Sequence, residues 1–351
     1  MDQQEAFETI KQARVAVNSI IGRRENLATY TDKLPSASTV TSYQREFKRL
    51  TEGTTSPSEI ITRAKQTGSV RTWYRRRAAL LYTYLNALEK MLTDQDKLQR
   101  EIKESSDWFY LVKNIKNVMV LLNLIENEPS LEESIRKSAR SKKKDLYGLP
   151  DEWRQIIIAR MPTYQAQMLT LAITGCRPIE LKKDVFWKID QDKIVAIIQG
   201  AKISKFAGQK TRSLTFPIVG ELANAMQKII IENGGEVIVS VNSTVNLTTS
   251  IRSAAKRAFP NFKKTVTACS FRHQASSDWK ADANTSGNTE ENLILVSGML
   301  GHATNLTKGR YGHSSQGRGS LVPEKVETSR PVKVIQKISY VKSANNKPYR
   351  T

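Results

Sequence analysis

The sequence predicts a mainly α-helical protein with a small β-hairpin or sheet confined to its second half, arranged as two domains. Three observations predict it. A length of 351 residues favours two domains over one. Apolar residues recur at helical spacing through the first half. In the second half, two short strand-like runs stand close together, joined by a turn rich in Lys and Gly.

Residues 1–135 read as a helical domain. As far as Leu34 the chain is polar and of mixed charge, with one helical stretch. Val40, Tyr43, Phe47 and Leu50 then fall at helical spacing behind Ser36, Ser38 and Thr39, any of which can cap the helix N-terminus. A further helix runs from about Val70 to Leu92. Its apolar face is Val70, Trp73, Tyr74, Leu81, Leu85 and Leu88, and Arg71, Arg75 and Arg76 lie on the other side. Another covers about Trp108 to Asn127 and contains the longest apolar run, Val118 to Ile125. For arginines on a single helix the plain reading is a solvated face; the alternative is that Arg71, Arg75 and Arg76 line a DNA-facing surface.

Residues 136–144, RKSARSKKK, have no apolar period and dense positive charge, and read as a basic interdomain linker. Lys142, Lys143 and Lys144 would lie along phosphates there. A second composition begins near Asp145 and defines a domain over 145–313. Tyr164 to Thr174 is helical, and Gly175 stops it. Lys193 to Gly200 and Arg212 to Val219 read as strands, and the polar stretch ADANTSGNTEEN reads as a surface loop. Residues 314–351 read as a basic, flexible tail with one β-like run, Val332 to Tyr340.

Charge is the first functional clue. Lys and Arg number 55 against 34 Asp and Glu, a net charge of +21. Such an excess repels itself unless it meets a polyanion, and nucleic acid ranks ahead of an anionic membrane surface. Two cysteines, Cys176 and Cys269, exclude a disulfide framework and a multi-cysteine zinc site, and three scattered histidines exclude a His-rich metal centre. The acidic opening MDQQEAFETI is not a signal peptide, and no apolar run approaches the roughly 20 residues that span a bilayer. The expectation is a soluble, cytoplasmic, DNA-associated protein.

Four segments carry residues suited to chemistry. In TGCRPIEL, Arg177 stands between a helix-ending Gly175 and Pro178, a favoured first helical residue, so it occupies a tight interhelical turn. Alone, it reads as a local salt-bridge partner of Glu180. Arg272 lies in CSFRHQ, His302 in LGH, and Tyr311 nine positions later in GRYGH. Each has a dull explanation singly: a buried polar contact, a helix cap, a packed tyrosine.

In this order and spacing the segments resemble the tyrosine recombinase (phage integrase) family, over roughly residues 145–313. The family pattern is an Arg in a T-G-x-R-x-x-E-L box, a Lys in a β-hairpin, an H-x-x-R box, an L-G-H box and a Tyr about nine residues on. The helical first half suits the family's core-binding domain in size and character, and the pair would form a DNA clamp. Two departures stand out. Cys269 occupies the first position of the H-x-x-R box, and a thiol cannot act as a cationic proton relay. The stretch from Arg272 to His302 is long, matching the polar insertion near 282–292. His273 is adjacent to the box but out of register.

The resemblance implies a catalytic set of Arg177, Lys202, Arg272, His302 and Tyr311. Lys202 is favoured as the hairpin lysine because it closes the first strand; Lys205 and Lys210 are alternatives, and Cys269 is a lesser candidate. Site-specific cutting and rejoining of DNA would pass through a 3′-phosphotyrosyl link at Tyr311, with no cofactor, ATP or metal. The sequence has no phosphate-loop motif and no carboxylate trio for a two-metal site. Implied partners are double-stranded DNA with inverted repeats, a second copy of the chain on one site, and a homotetramer in the synapse. Competing readings are a type IB topoisomerase, a telomere resolvase, or a catalytically idle DNA-binding protein on the same scaffold.

Overall fold

The computed structural model describes residues 2–28, 35–101, 106–131, 146–203, 207–282, 290–305, 311–319 and 321–335. The chain divides into two compact units, Met1–Arg140 and Ser141–Thr351. The expected linker with Lys142, Lys143 and Lys144 lies outside the described residues, as do Lys205 and most of the loop at 281–292.

Five helices make up the described part of the first unit: α1 (Gln3–Ala28), α2 (Ala37–Thr51), α3 (Pro57–Lys65), α4 (Val70–Glu101) and α5 (Ser106–Asn127). On α1, Ala6, Ile10, Ala13 and Val17 follow the helical period, and they pack on Leu85, Leu88 and Leu92 of α4 and on Trp108, Val112 and Ile115 of α5. A second cluster joins Leu50, Ile60, Ala64, Trp73 and Leu80. Burying each large apolar side chain contributes about 1.5–3 kcal/mol. Ser36 caps α2 as expected, its side chain accepting from the Thr39 N–H. The short α3 was not foreseen, although Ser56 and Pro57 stand where a cap and a first residue should. Helix α4 outruns its expected end at Leu92 because the polar residues beyond it are good helix formers. Tyr74, expected on the apolar face, is 51% exposed, and Leu80 is buried instead.

The arginines of α4 divide by role. Arg76 donates to the carbonyls of Arg63, Ala64 and Gln66 at the C-terminal end of α3, and to Glu46. Arg77 does the same for Ile125 and Glu126 at the end of α5. Arg76 thus ties helices together, whereas Arg71 and Arg75 are exposed, the latter 3.7 Å from Glu46.

The second unit runs α6 (Trp153–Ala159), α7 (Gln165–Thr174), α8 (Pro178–Leu181), β1 (Val185–Asp190), β2 (Lys193–Gln199), β3 (Thr211–Pro217), α9 (Gly220–Glu232), β4 (Glu236–Val239), α10 (Thr244–Ala258), α11 (Ala268–Ala281), α12 (Glu290–Met299) and β5 (Lys325–Thr328). The protein is therefore mainly helical, with one five-stranded antiparallel sheet in the order β4-β1-β2-β3-β5. Alternation sends Val185 and Trp187 of β1, Ile194, Ala196 and Ile198 of β2, and Leu214 and Phe216 of β3 into the core. The same period carries Arg212 inward, where it is buried. No helix among the described residues is long and apolar enough to cross a membrane.

Over the described residues 314–319 and 321–335, the segment expected to be a flexible tail is instead folded into the second unit. Ser314–Gln316 forms a 3₁₀ turn against α11, and β5 adds a fifth strand to the sheet, pairing Arg212 with Thr328 and Leu214 with Val326. Thr304 and Lys333 form a parallel bridge. A strand forms instead at Lys325–Thr328, and most of the expected run Val332 to Tyr340 lies outside the described residues. A short charged edge strand is hard to distinguish from loop by composition.

Candidate active site

The site is built where three chain turns meet the buried helix α11. Helix α7 stops at Gly175, which adopts φ 55°, a conformation that costs glycine least. A Cβ there would lie 3.0 Å from Ala275, so α7 and α11 meet closely at this point. Pro178 then starts α8, and Arg177 occupies the extended N-cap position. The Glu180 carboxylate accepts from the Arg177 backbone N–H at 2.9 Å and from its guanidinium at 2.6 Å. The salt bridge read from sequence is therefore present, and it orients Arg177 without covering it.

Glu180 is more than a local partner. It is buried and also accepts from Arg212 of β3 at 3.0 Å. Burial alone would raise its pKa; Arg212, Arg272 and Arg177 reverse that and hold it at about 2. One carboxylate thus compensates a cluster of three guanidiniums. Arg212 is a site residue that sequence reasoning missed. The available signal was its place in the alternation of Arg212, Leu214 and Phe216, which points an arginine into the core.

Arg272 projects from α11 and is itself buried. It donates to the Gly175 carbonyl at 2.7 Å and to the Leu300 carbonyl at 2.5 Å, which locks the fork between two turns. Burial, then the charge of Arg177, lower its pKa to about 10. Its Nη2 also meets His302 Nε2 at 3.1 Å. Arginine only donates, so Nε2 is the acceptor and the imidazole proton is on Nδ1. Burial first, then Arg272, Arg177 and Arg212, depress the His302 pKa to about 2. His302 is consequently a neutral donor, and its buried Nδ1 has no partner among the described residues.

Tyr311 completes the group. Its ring stacks on His302 with centroids 5.4 Å apart and 28° between planes, and the Arg272 guanidinium carbon stands 4.6 Å from the ring centroid. Burial opposes ionisation of the phenol. The nearby charges of Arg272 and Arg177 outweigh it and lower the pKa below the ordinary tyrosine value. Arg177, Arg272, His302 and Tyr311, far apart in sequence, share one site.

The backbone of Tyr311 is clasped by its own unit. Lys280 Nζ donates to the Tyr311 carbonyl at 2.6 Å and to the Gly312 carbonyl at 3.0 Å. His273, set aside in sequence as out of register, accepts from the Gly312 N–H at 3.2 Å and packs 5.3 Å from the tyrosine ring. Downstream, Arg318 donates its N–H to the buried Asp278, and Gln274 donates to the Gln316 carbonyl.

Of the remaining candidates, Lys202 and Lys210 sit in the hairpin loop and Cys269 on α11. Lys202 does not close a strand: β2 ends at Gln199, and Lys202 is exposed in the loop beyond it. Lys210, next to β3, is exposed too. Cys269 is exposed on the first turn of α11, one turn before Arg272.

No protein-family model matches the chain, and no curated protein matches it. A solved structure does. It is described as the crystal structure of XerA recombinase and is 14% identical, covering 87% of this chain and 93% of that one, with a TM-score of 0.33. At that score the likeness leaves the chemistry to the side chains described above.

Proposed function

We propose that the chain is a site-specific DNA strand-transfer enzyme of the tyrosine recombinase type. The observation that carries this reading is the placement of Tyr311 between His302 and Arg272, with the charges of Arg272 and Arg177 favouring its phenolate. Nearby arginines that favour the phenolate are what a tyrosine nucleophile needs, and the +21 charge suits a polyanionic substrate.

A phosphodiester resists nucleophiles because it is an anion, and charge grows on its nonbridging oxygens as attack proceeds. The forks of Arg177 and Arg272 would donate to those oxygens while remaining charged, and neutral His302 would hold the Arg272 fork by accepting through Nε2. Well-placed donors of this kind are worth about 3–4 kcal/mol each. Tyr311 Oη attacks phosphorus as its proton passes to solvent, the P–O5′ bond breaks, and a 3′-phosphotyrosyl link forms. The departing 5′ oxygen takes a proton from a hairpin lysine, for which Lys202 is the candidate because its backbone packs against the loop limb at Gly208. Reversal with another strand's 5′-hydroxyl rejoins DNA without an external energy source. Duplex DNA with inverted repeats, bound by pairs of protomers and joined in a tetramer, is the partner this reading requires.

A nicked suicide duplex, which loses its 5′ fragment after cleavage, tests the proposal. Wild type should accumulate a covalent protein–DNA adduct, and Tyr311→Phe should form none while binding with unchanged affinity. Binding without an adduct from wild type would support an idle DNA-binding protein instead.

A further inference from the structure

Gln209 is the least expected buried side chain of the second unit. It lies in the return limb of the hairpin loop, two residues before β3, and is 1% exposed. Burial of an amide is costly unless its polar atoms find partners. Here Nε2 donates to the His302 carbonyl at 2.9 Å. Oε1 accepts from Ser329 Oγ at 3.2 Å and from the Arg330 N–H at 3.1 Å. The Gln209 backbone N–H donates to the Gly301 carbonyl at 3.3 Å. Ser329 Oγ in turn accepts from the N–H groups of Lys210 and Thr211 at 2.8 and 3.3 Å, and the Arg330 guanidinium donates to the Gly208 carbonyl. One amide therefore joins the hairpin loop, the turn that carries His302, and the segment that follows β5.

The loop is also closed on itself. The Gly200 N–H donates to the Lys210 carbonyl at 2.8 Å, and Lys183 Nζ donates to the Gly200 carbonyl at 2.8 Å. A Cβ on Gly200 would fall 1.9 Å from the Gln209 carbonyl oxygen, and one on Gly208 would fall 2.0 Å from the Lys202 carbonyl oxygen. The backbone of Lys202 thus rests directly against the limb that Gln209 anchors. Any movement of that limb moves the lysine.

We infer that Gln209 is a positioning residue for leaving-group protonation, through which docking of Ser329 and Arg330 sets the hairpin lysine. This rests on the strand-transfer reading above. Gln209 touches no reacting atom; it acts through the loop limb. Its loss should slow the step that needs the lysine's proton much more than it weakens DNA binding, since a misplacement of about 1 Å can cost about 100-fold.

The test uses the full-length chain and a duplex enriched from a random pool by binding to it. The scissile phosphate is mapped, and the duplex is then synthesised with either oxygen or sulfur at the bridging 5′ position. A thiolate departs without a proton, so sulfur bypasses the general acid. On the oxygen substrate, Gln209→Ala should form adduct about 10–100-fold more slowly than wild type, and Ser329→Ala should be slowed less. On the sulfur substrate both should return to within about threefold of wild type, as should Lys202→Ala. If Gln209→Ala melts below the assay temperature, Ser329→Ala decides, because it leaves the amide in place. Equal slowing on both substrates, or no slowing on either, would overturn the assignment. An active wild type beside an unrescued variant refutes only the role of Gln209; a wild type inert on both substrates refutes strand transfer itself.

Discussion

Arg272 stands over the ring of Tyr311, its guanidinium carbon 4.6 Å from the ring centroid, while the same fork is held by the carbonyls of Gly175 and Leu300. A cation fixed by two turns and facing a phenol can favour the phenolate without rearranging. Arg272→Lys keeps the charge but loses the planar fork and its stacking. Its adduct formation should fall by about 100–1,000-fold with DNA affinity nearly unchanged, as read by single-turnover trapping beside a binding titration. Equal losses in the two measurements would mean that Arg272 serves ground-state binding.

Gly312 should tolerate no side chain. Its φ is 28°, and a Cβ would lie 2.1 Å from Ser277 Oγ and 2.4 Å from the His273 carbonyl oxygen. Gly312→Ala must push the segment off α11 and carry Tyr311 with it. Cleavage should drop about 100-fold or more with binding intact, and a crystal structure of the variant should show the tyrosine ring displaced from His302.

How much of this was legible in sequence differs residue by residue. The Arg177 turn was readable because Gly175 and Pro178 punctuate the chain locally, and His302 and Tyr311 because their spacing is short. Arg212 was hidden in a strand whose alternation was not carried through to its first residues. Gln209 had no local signal at all: its partners His302 and Arg330 are 93 and 121 residues away. The tail misled because its strand, Lys325–Thr328, is short and mostly charged or polar, and only its pairing with β3 marks it as one.

Glu180 gives a pH signature. Its pKa is about 2 in the folded chain against an ordinary 4.5, so it binds fewer protons folded than unfolded. Its stabilising contribution is complete above pH 4.5 and is lost as pH falls toward 2. Glu180→Gln leaves Arg212 buried beside a neutral group and should destabilise by about 3–5 kcal/mol at neutral pH. The melting-temperature gap between wild type and variant should close as pH drops from 4.5 to 2. A constant gap would contradict the ion cluster.

The pH profile of cleavage bears on His302. With its pKa near 2, the imidazole stays neutral throughout the working range, so no inflection from it should appear between pH 5 and 8. His302→Gln, a neutral donor, should retain more activity than His302→Ala. An inflection near 6.5 that disappears in the variants would assign His302 a cationic role.

Truncation after Gly319 would remove β5 and the Ser329–Arg330 contacts with Gln209. Loss of a freely flexible tail would leave single-site cleavage largely intact. The observed pairing predicts otherwise: a lower melting temperature and loss of single-site cleavage together, measured on one preparation.

The most direct test of the nucleophile is to digest the trapped adduct with protease and nuclease and locate the residual nucleotide by mass spectrometry. A 3′-phosphonucleotide on the peptide containing Tyr311, on that residue alone, is the predicted result. The nucleotide on any other tyrosine, or on no residue of a chain that has cut its DNA, would contradict it.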